Sequence, residues 1–346
     1  MQIEATESQR TAPVLKQEET AEKIPLIVVA GPTASGKTAL AVELAKRLSG
    51  EIVSADSMQI YKGLPVGTAQ PSLQEQKGIP HHLIGFLSPS ETFSAAQYVE
   101  RASACIADIR RRGRIPILAG GTGLYISSLI HNICFVEEDP PAGDLRQKLS
   151  EKAERDGWEA LLQELAARDP EAAAAMDFHN HKRLLRSLEL CITTGKTAAQ
   201  RAEESRSIPS PYICSFLCLW FADRQKLYDR IDKRVDKMMQ EGLLQEAESL
   251  FHGSPGKTVR QAIGYKEFFP YFSEEIPVSQ AVETVKRETR RYAKRQLTWF
   301  RREKEAVWLD VGAYSSLSAL ADAAEGICRE KLKDFEECFP KYSGSK

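Results

Sequence analysis

Ile24-Pro25-Leu26-Ile27-Val28-Val29-Ala30-Gly31-Pro32-Thr33-Ala34-Ser35-Gly36-Lys37-Thr38 is the stretch that decides the fold. Residues 26–30 are apolar and mostly β-branched, as a strand buried on both faces requires. They lead into residues 31–38, which have the form G-x-x-x-x-G-K-[ST], and an alanine- and leucine-rich helical pattern follows. Strand, glycine loop and helix in that order make a phosphate-binding P-loop. Backbone N–H groups around Gly36 and the helix start share one concavity. The helix dipole favours negative charge there, and Lys37 adds a full positive charge. The Thr38 hydroxyl suits a magnesium ion carried in with the phosphates. The chain is expected to grip a di- or triphosphate, and the remainder must say for what purpose.

Working outward, residues 39–48 read as the first helix, closed by Gly50. Residues 51–55 read as a strand ending in Asp56-Ser57-Met58-Gln59. Ligands of open α/β sheets sit at the carboxyl ends of the strands, so Asp56 is expected in the same crevice as Lys37. Residues 62–94 are rich in Gly, Pro and Ser and are expected to form a long loop over its mouth. A helix over 95–112 precedes a third strand, 115–119, which runs into Gly120-Gly121-Thr122-Gly123-Leu124-Tyr125. An ordinary ATPase places its magnesium-holding Asp at that strand end, and here Ala-Gly stands instead. The glycines are expected to let backbone approach a ligand, with the Thr122 hydroxyl as the chemical handle.

From residue 139 to about 200 the pattern is helical throughout, an all-helical insertion in the core. Residues 209–221 return to strand, and Asp223 caps a helix carrying Arg224, Arg230 and Arg234. Residues 253–264 read as a loop. A long basic helix over 278–304, a last strand at 306–309 and a helix near 316–336 complete the chain. The fold class is α/β, a P-loop NTPase-like parallel sheet flanked by helices. Its core is expected over 24–138 and 201–312, with the insertion at 139–200. A disordered tail is expected over 1–23, and a C-terminal helix and tail over 313–346.

The 346-residue chain has a formal net charge of −1, so nucleic-acid binding must come from a local patch. Its seven cysteines include no C-x-x-C pair, which leaves zinc-ligand spacing absent and fits reduced thiols in a cytoplasmic protein. No apolar run reaches the ~18 residues of a membrane helix. His81-His82 lacks further ligands at suitable spacing and reads as structural.

The stretches GPTASGKT (31–38), DSMQIYKGLPVGTAQP (56–71), HH (81–82) and GGTGLY (120–125) are followed by KRLLRSLE, RQKLYDRIDKRVDKM, QAIGYKE and RRYAKRQLTWFR. Together they resemble the tRNA dimethylallyltransferase, or tRNA isopentenyltransferase, family over roughly residues 25–311. The chain lacks the C-terminal Cys/His finger of eukaryotic members, which points to a bacterial-type enzyme, expected as a monomer.

The resemblance implies transfer of a dimethylallyl group from dimethylallyl diphosphate to N6 of the adenosine 3′-adjacent to the anticodon, with Mg²⁺ held by Thr38 through the diphosphate. It implies that Gly31, Thr33, Ala34, Ser35, Gly36, Lys37 and Thr38 hold the diphosphate and that Arg224 and Arg230 close over it. Asp56 would be the general base and Thr122 would lie where the substrates meet, with Lys37 assisting the leaving group. Asp56, Ser57, Met58, Gln59 and Thr122 would meet the tRNA. So would Arg146, Lys182, Arg183, Leu184, Leu185 and Arg186 of the insertion and Gln261, Gly264, Tyr265 and Lys266 of the core. From the residues alone, Asp56 serves equally as a magnesium or hydroxyl ligand, and Thr122 as a turn residue. Arg224 and Arg230 lie six apart and do not share a narrow helical stripe. Lys286, Arg287, Arg290, Arg291, Lys294 and Arg295, with Tyr292 and Trp299, form a basic helix that suits RNA, or a solvated face balanced by Glu283 and Glu288.

Three rival functions stay open on sequence. An adenylate-prenylating, cytokinin-type enzyme would need the same loop and Asp but no insertion. A P-loop small-molecule kinase would leave GGTGLY without a role. A non-catalytic RNA-binding P-loop protein would need neither Asp56 nor Thr122.

Overall fold

Buried β-branched residues form the strands of the computed structural model, which describes residues 23–133 and 142–338. The tail expected over 1–23, apart from Lys23, lies outside the described residues, as do the segment 134–141 and residues 339–346. The strands are β1 (Ile24–Ala30), β2 (Gly50–Ser54), β3 (His81–His82), β4 (Ile115–Gly120), β5 (Tyr212–Trp220) and β6 (Val307–Asp310). They form one six-stranded sheet in the order β3-β2-β4-β1-β5-β6, and every pairing is parallel. Strands are added on one side of β1 before β4 and on the other side after it. The loop after β1 therefore sits where the order reverses, the usual place for a ligand crevice.

Helices α1 (Lys37–Arg47), α2 (Leu73–Gln76), α3 (Ala95–Arg111) and α4 (Gly123–Ile130) belong to the first part of the core. After the insertion come α10 (Arg224–Gln240), α11 (Leu243–His252), α12 (Lys257–Arg260), α13 (Phe269–Phe272), α14 (Val278–Phe300) and α15 (Leu317–Lys331). Leu40, Leu44, Leu320 and Ala324 of α1 and α15 pack on one sheet face against Ile27, Ile117 and Leu217. Tyr98, Ile106, Ile126 and Phe300 of α3, α4 and α14 pack on the other against Val28, Leu118 and Phe216. Each of the larger side chains contributes about 1.5–3 kcal/mol on burial, and Phe300 holds the end of the long α14 to the second face.

The insertion holds α5 (Ala142–Asp156), α6 (Trp158–Arg168), α7 (Pro170–Ala174), α8 (His181–Thr194) and α9 (Ala198–Arg206) around Leu149, Leu161, Leu165, Leu184 and Leu188. It runs past the expected boundary at 200. Thr197 and Gln200 form a capping box that starts α9 and carries the helical segment to Arg206.

Residues 62–94 are more ordered than the expected loop. They contain α2, started by the Ser72–Glu75 capping box, and the edge strand β3. His82 Nε2 meets Glu51 Oε2 at 2.8 Å, and His81 Nδ1 lies 2.8 Å from the Ile79 carbonyl. The histidine pair thus tacks the sheet edge, with Glu51 also bound by Arg112 at 2.9 Å. Among the described residues no group of three or more His, Cys, Asp or Glu could hold a metal ion. None of the described helices is long and apolar enough to cross a membrane.

Candidate active site

The carboxyl ends of β1, β2 and β4 open into a cavity of about 980 Å³. At its floor is the P-loop. Gly36 has φ 96°, which the preceding turn requires and a side chain resists, and no side chain caps α1. The first N–H groups of α1 are therefore left for a ligand, with no acidic residue in the first turn to compete. Thr33, Ala34, Gly36, Lys37 and Thr38 line the cavity. Gly31 and Ser35 do not. A Cβ on Gly31 would lie 2.6 Å from the Leu219 carbonyl, so this glycine exists for the close packing of the loop against β5. The Ser35 hydroxyl is buried without a hydrogen-bond partner among the described residues.

Lys37 Nζ donates to the Pro32 carbonyl at 2.6 Å. Burial first, and then the nearby charge of Arg234, bring its pKa down to about 8, against a smaller upward pull from Asp56. An ammonium so destabilised is primed for an anion. Arg230 adds a second cation, with Nε donating to the Ala34 carbonyl at 2.8 Å and the guanidinium 5.6 Å from the Phe221 ring. Arg234, one turn further along α10, lines the same cavity, and burial lowers its pKa in turn. Arg224 is not part of this wall. It is the first residue of α10, exposed, behind the Asp223 cap. The arginines that line the cavity are Arg230 and Arg234, spaced i, i+4; Arg230 is one of the expected pair, and Arg224 lies outside the lining. The i+4 spacing was the available signal for Arg234.

The opposite wall carries Asp56, Ser57, Met58 and Gln59. Asp56 Oδ1 accepts from the N–H groups of Met58 at 2.9 Å and Gln59 at 3.4 Å, an Asx-type turn that fixes the carboxylate at the end of β2. Thr122 braces this turn from the next strand: its Oγ1 accepts from Ser57 N at 2.9 Å, and its N–H donates to the Ala55 carbonyl at 3.0 Å. The sequence suggests that the GGTG glycines let backbone approach a ligand; Gly120 lines the cavity, but all three glycines of the turn are pressed against the chain itself. A Cβ on Gly120 would lie 2.1 Å from the Ala55 carbonyl, on Gly121 2.2 Å from Gln296 Nε2, and on Gly123 2.2 Å from Trp299 Cδ1. The close approach is to the chain itself.

Gln296 is a residue that sequence reasoning missed. Buried in α14, it accepts from Thr33 N at 2.9 Å and donates to the Gly121 carbonyl at 3.0 Å, so one amide ties the P-loop to the GGTG turn. Tyr292, one turn earlier, also lines the cavity. Its phenol pKa is raised by burial first and by Asp56 second, while Thr122 and Gln296 hydrogen-bond it. It stays a neutral hydroxyl beside the carboxylate.

The mouth brings the insertion and the core together. Lys182 Nζ donates to Gln261 Oε1 at 3.2 Å, and Gln261, Gly264 and Lys266 line the cavity. Arg183 is exposed beside Lys182. Arg146 and Arg186 converge on the buried Glu189 at 3.2 and 3.0 Å, which holds both guanidinium groups in place. Leu184 and Tyr265, expected at an RNA surface, are both 0% exposed. Leu184 is insertion core, and Leu185 packs on it. The Tyr265 hydroxyl donates to Glu246 Oε1 at 2.7 Å, and the same carboxylate holds the N–H groups of Val66 and Gly67 at 3.1 and 2.8 Å. These side chains support the surface from beneath.

A family model described as IPP transferase matches residues 59–303. The chain belongs to the IPP transferase family. The tRNA dimethylallyltransferase of Bacillus subtilis is 46% identical over 297 residues, 84% of this chain and 91% of that protein. That of Halalkalibacterium halodurans is 44% identical over 289 residues, 83% and 91% of the two chains. Among solved structures, the full-length tRNA isopentenylpyrophosphate transferase of Bacillus halodurans aligns with a TM-score of 0.66 at 40% identity, covering 91% of this chain and all of that one. A eukaryotic dimethylallyltransferase described as acting on tRNA aligns with a TM-score of 0.74 at 29% identity, covering 93% and 81%. Like these IPP transferases, the chain is a prenyltransferase-type enzyme, and its rivals as a kinase or a non-catalytic P-loop protein fall away.

Proposed function

We propose that this enzyme transfers the dimethylallyl group of dimethylallyl diphosphate to N6 of the adenosine 3′-adjacent to the anticodon in tRNA and releases diphosphate. The observation that carries the reading is the single cavity with two chemically different ends. Lys37, Arg230, Arg234 and the α1 N-terminus are arranged for a diphosphate, and the fixed Asp56 carboxylate stands across from them.

The allylic C–O bond breaks as negative charge accumulates on the departing diphosphate, where Lys37, the loop amides and the α10 arginines oppose it. The N6–C bond forms, and the proton lost by the amine passes to Asp56. An adenine reaching this depth must leave the base stack, as base-modifying enzymes generally require. Magnesium fits as a companion of the diphosphate: the Thr38 hydroxyl lines the cavity and hydrogen-bonds to no protein group among the described residues. Bound there by Thr38 and diphosphate oxygens, the ion would neutralise leaving-group charge.

Unmodified tRNA incubated with labelled dimethylallyl diphosphate, or separately with labelled ATP, tests the reading. The prenyl label is expected on RNA, and transfer of the ATP label alone would sink it. The mouth residues yield a separate expectation. Replacing Lys182, Arg183 and Arg186 together by Ala should raise the tRNA KM roughly tenfold or more and leave the KM for dimethylallyl diphosphate nearly unchanged. Equal rises in both would mean that the insertion supports the cavity rather than the RNA.

A further inference from the structure

The last register pair between β1 and β4 is Ala30 with Gly120. Past it the two strands run into the P-loop and the GGTG turn, which lie at the two chemically different ends of the cavity. Gln296 of α14 stands between these loops and continues the ladder. Its Oε1 accepts from Thr33 N at 2.9 Å, and its Nε2 donates to the Gly121 carbonyl at 3.0 Å. A primary amide has an acceptor at one end and a donor at the other, as a peptide group has, so this side chain serves as one more rung. The two partners dictate its orientation, because an N–H needs the oxygen and a carbonyl needs the nitrogen.

The rung is itself held. Gln296 is 5% exposed. Ala293, one turn earlier, is buried with Leu227 and Ile231 of α10, and Phe300, one turn later, is buried on the sheet. Tyr292 hydrogen-bonds both Gln296 and Thr122. Each loop also has bonds of its own. In the P-loop Ser35 N donates to the Pro32 carbonyl at 3.3 Å, and Arg230 holds the Ala34 carbonyl at 2.8 Å. Across the cavity Met58 N donates to Asp56 Oδ1 and Ser57 N to Thr122 Oγ1, both at 2.9 Å. Loss of Gln296 therefore leaves both half-sites formed and frees their separation.

We infer that Gln296 is a positioning residue for prenyl transfer: it sets the gap between the diphosphate departing on the P-loop and the Asp56 carboxylate that takes the proton. The inference rests on the prenyl-transfer reading for its chemistry. Transfer requires the allylic carbon and the attacking amine to be held roughly 3–3.5 Å apart, and a misplacement of about 1 Å costs ~10² in rate. A spacer one amide wide between the two walls governs that distance. Both substrates can still bind when the spacing is wrong, so the loss falls on the chemical step.

The test is single-turnover transfer from dimethylallyl diphosphate to an unmodified tRNA transcript by full-length wild type, Gln296→Met and Gln296→Glu. Equilibrium binding of inorganic diphosphate and of the same tRNA is measured separately. Gln296→Met keeps the volume and loses both hydrogen bonds. It should lower the transfer rate constant ~10- to 100-fold and leave both dissociation constants within about twofold of wild type. Gln296→Glu keeps the acceptor but lacks the donor while ionised, and protonation restores an O–H for the Gly121 carbonyl. Its rate relative to wild type should climb as pH falls from about 8 to about 5.5, a range into which burial lifts a carboxyl, while that of Gln296→Met stays level. The charged and titratable groups on the surrounding walls, Lys37, Asp56, Arg230, Arg234, Tyr292 and Arg295, are common to all three proteins, so the ratio isolates the introduced carboxyl. A wild-type rate constant in Gln296→Met overturns the inference. So does a loss confined to one dissociation constant, which would assign Gln296 to one half-site alone. A smaller fraction of active sites turning over at the wild-type rate also overturns it, as the mark of a purely structural role. If Gln296→Met does not fold, Gln296→Glu decides, and a level ratio across pH is the overturning result. A wild type that binds diphosphate and tRNA but moves no label refutes the prenyl-transfer reading and this inference with it.

Discussion

Asp56→Asn is expected to lower turnover by ~10²–10⁴, the usual worth of a general base, while both substrates still bind. The substitution is structurally mild for a stated reason. The two contacts that fix this side chain are accepted by Oδ1 from Met58 N and Gln59 N, and an asparagine oxygen can keep both. What is lost is the ability to take up a full proton from the alkylated amine. Steady-state kinetics with tRNA and dimethylallyl diphosphate varied separately should show the loss in kcat. If Asp56 held magnesium instead, donor affinity would fall in a metal-dependent way and excess Mg²⁺ would partly restore it. Wild-type turnover in Asp56→Asn would remove the carboxylate from the mechanism and send the proton to water or to the diphosphate.

The core of the fold was legible because its signals are local. Residues 24–38 carry strand, loop and helix in one continuous run, and the structure repeats that order as β1, the P-loop and α1. The strands at β2, β4, β5 and β6 were also readable from short apolar runs. β3 was not, since two histidines carry no periodicity and are held at the edge by Glu51, a residue of another strand. The end of the insertion was misplaced although its signal was present: Thr197 followed three residues later by Gln200 is a capping box, and it starts a helix instead of ending one.

The site was legible in outline and misread in its supports. Gly121 and Gly123 look like ligand-facing glycines until Gln296 and Trp299, more than 170 residues away in the chain, are found against them. No spacing rule predicts that a glutamine within a basic helix will bridge the P-loop to a turn on another strand. Of the two arginines matched by motif, Arg230 lines the cavity and Arg224 does not, because the helix presents to the cavity only what lies on one face, and Arg234 shares that face with Arg230.

Lys37→Ala should cost ~10²–10³ in kcat/KM for dimethylallyl diphosphate, in both donor binding and the chemical step, because the charge it opposes is greatest on the departing diphosphate. tRNA affinity should change little, and a large loss of tRNA binding with intact turnover would show that the loop is not the donor site. The pH dependence follows from the depressed pKa. In the unliganded protein the ammonium titrates near 8, well below its ordinary 10.5, through burial and then the charge of Arg234. A bound diphosphate favours the charged form, so donor binding is coupled to proton uptake. The KM for dimethylallyl diphosphate should be flat below about pH 7 and rise above pH 8, and Lys37→Ala should abolish that limb. Stability runs the other way. The unfolded chain holds the Lys37 proton up to about 10.5 and the folded chain only to about 8, so the penalty for burying the charge is complete below 8 and disappears between the two values. Unliganded Lys37→Ala should therefore melt above wild type at neutral pH, with the difference shrinking as pH rises through that window. A mutant that melts lower at neutral pH would mean that the Lys37–Pro32 hydrogen bond outweighs the buried charge.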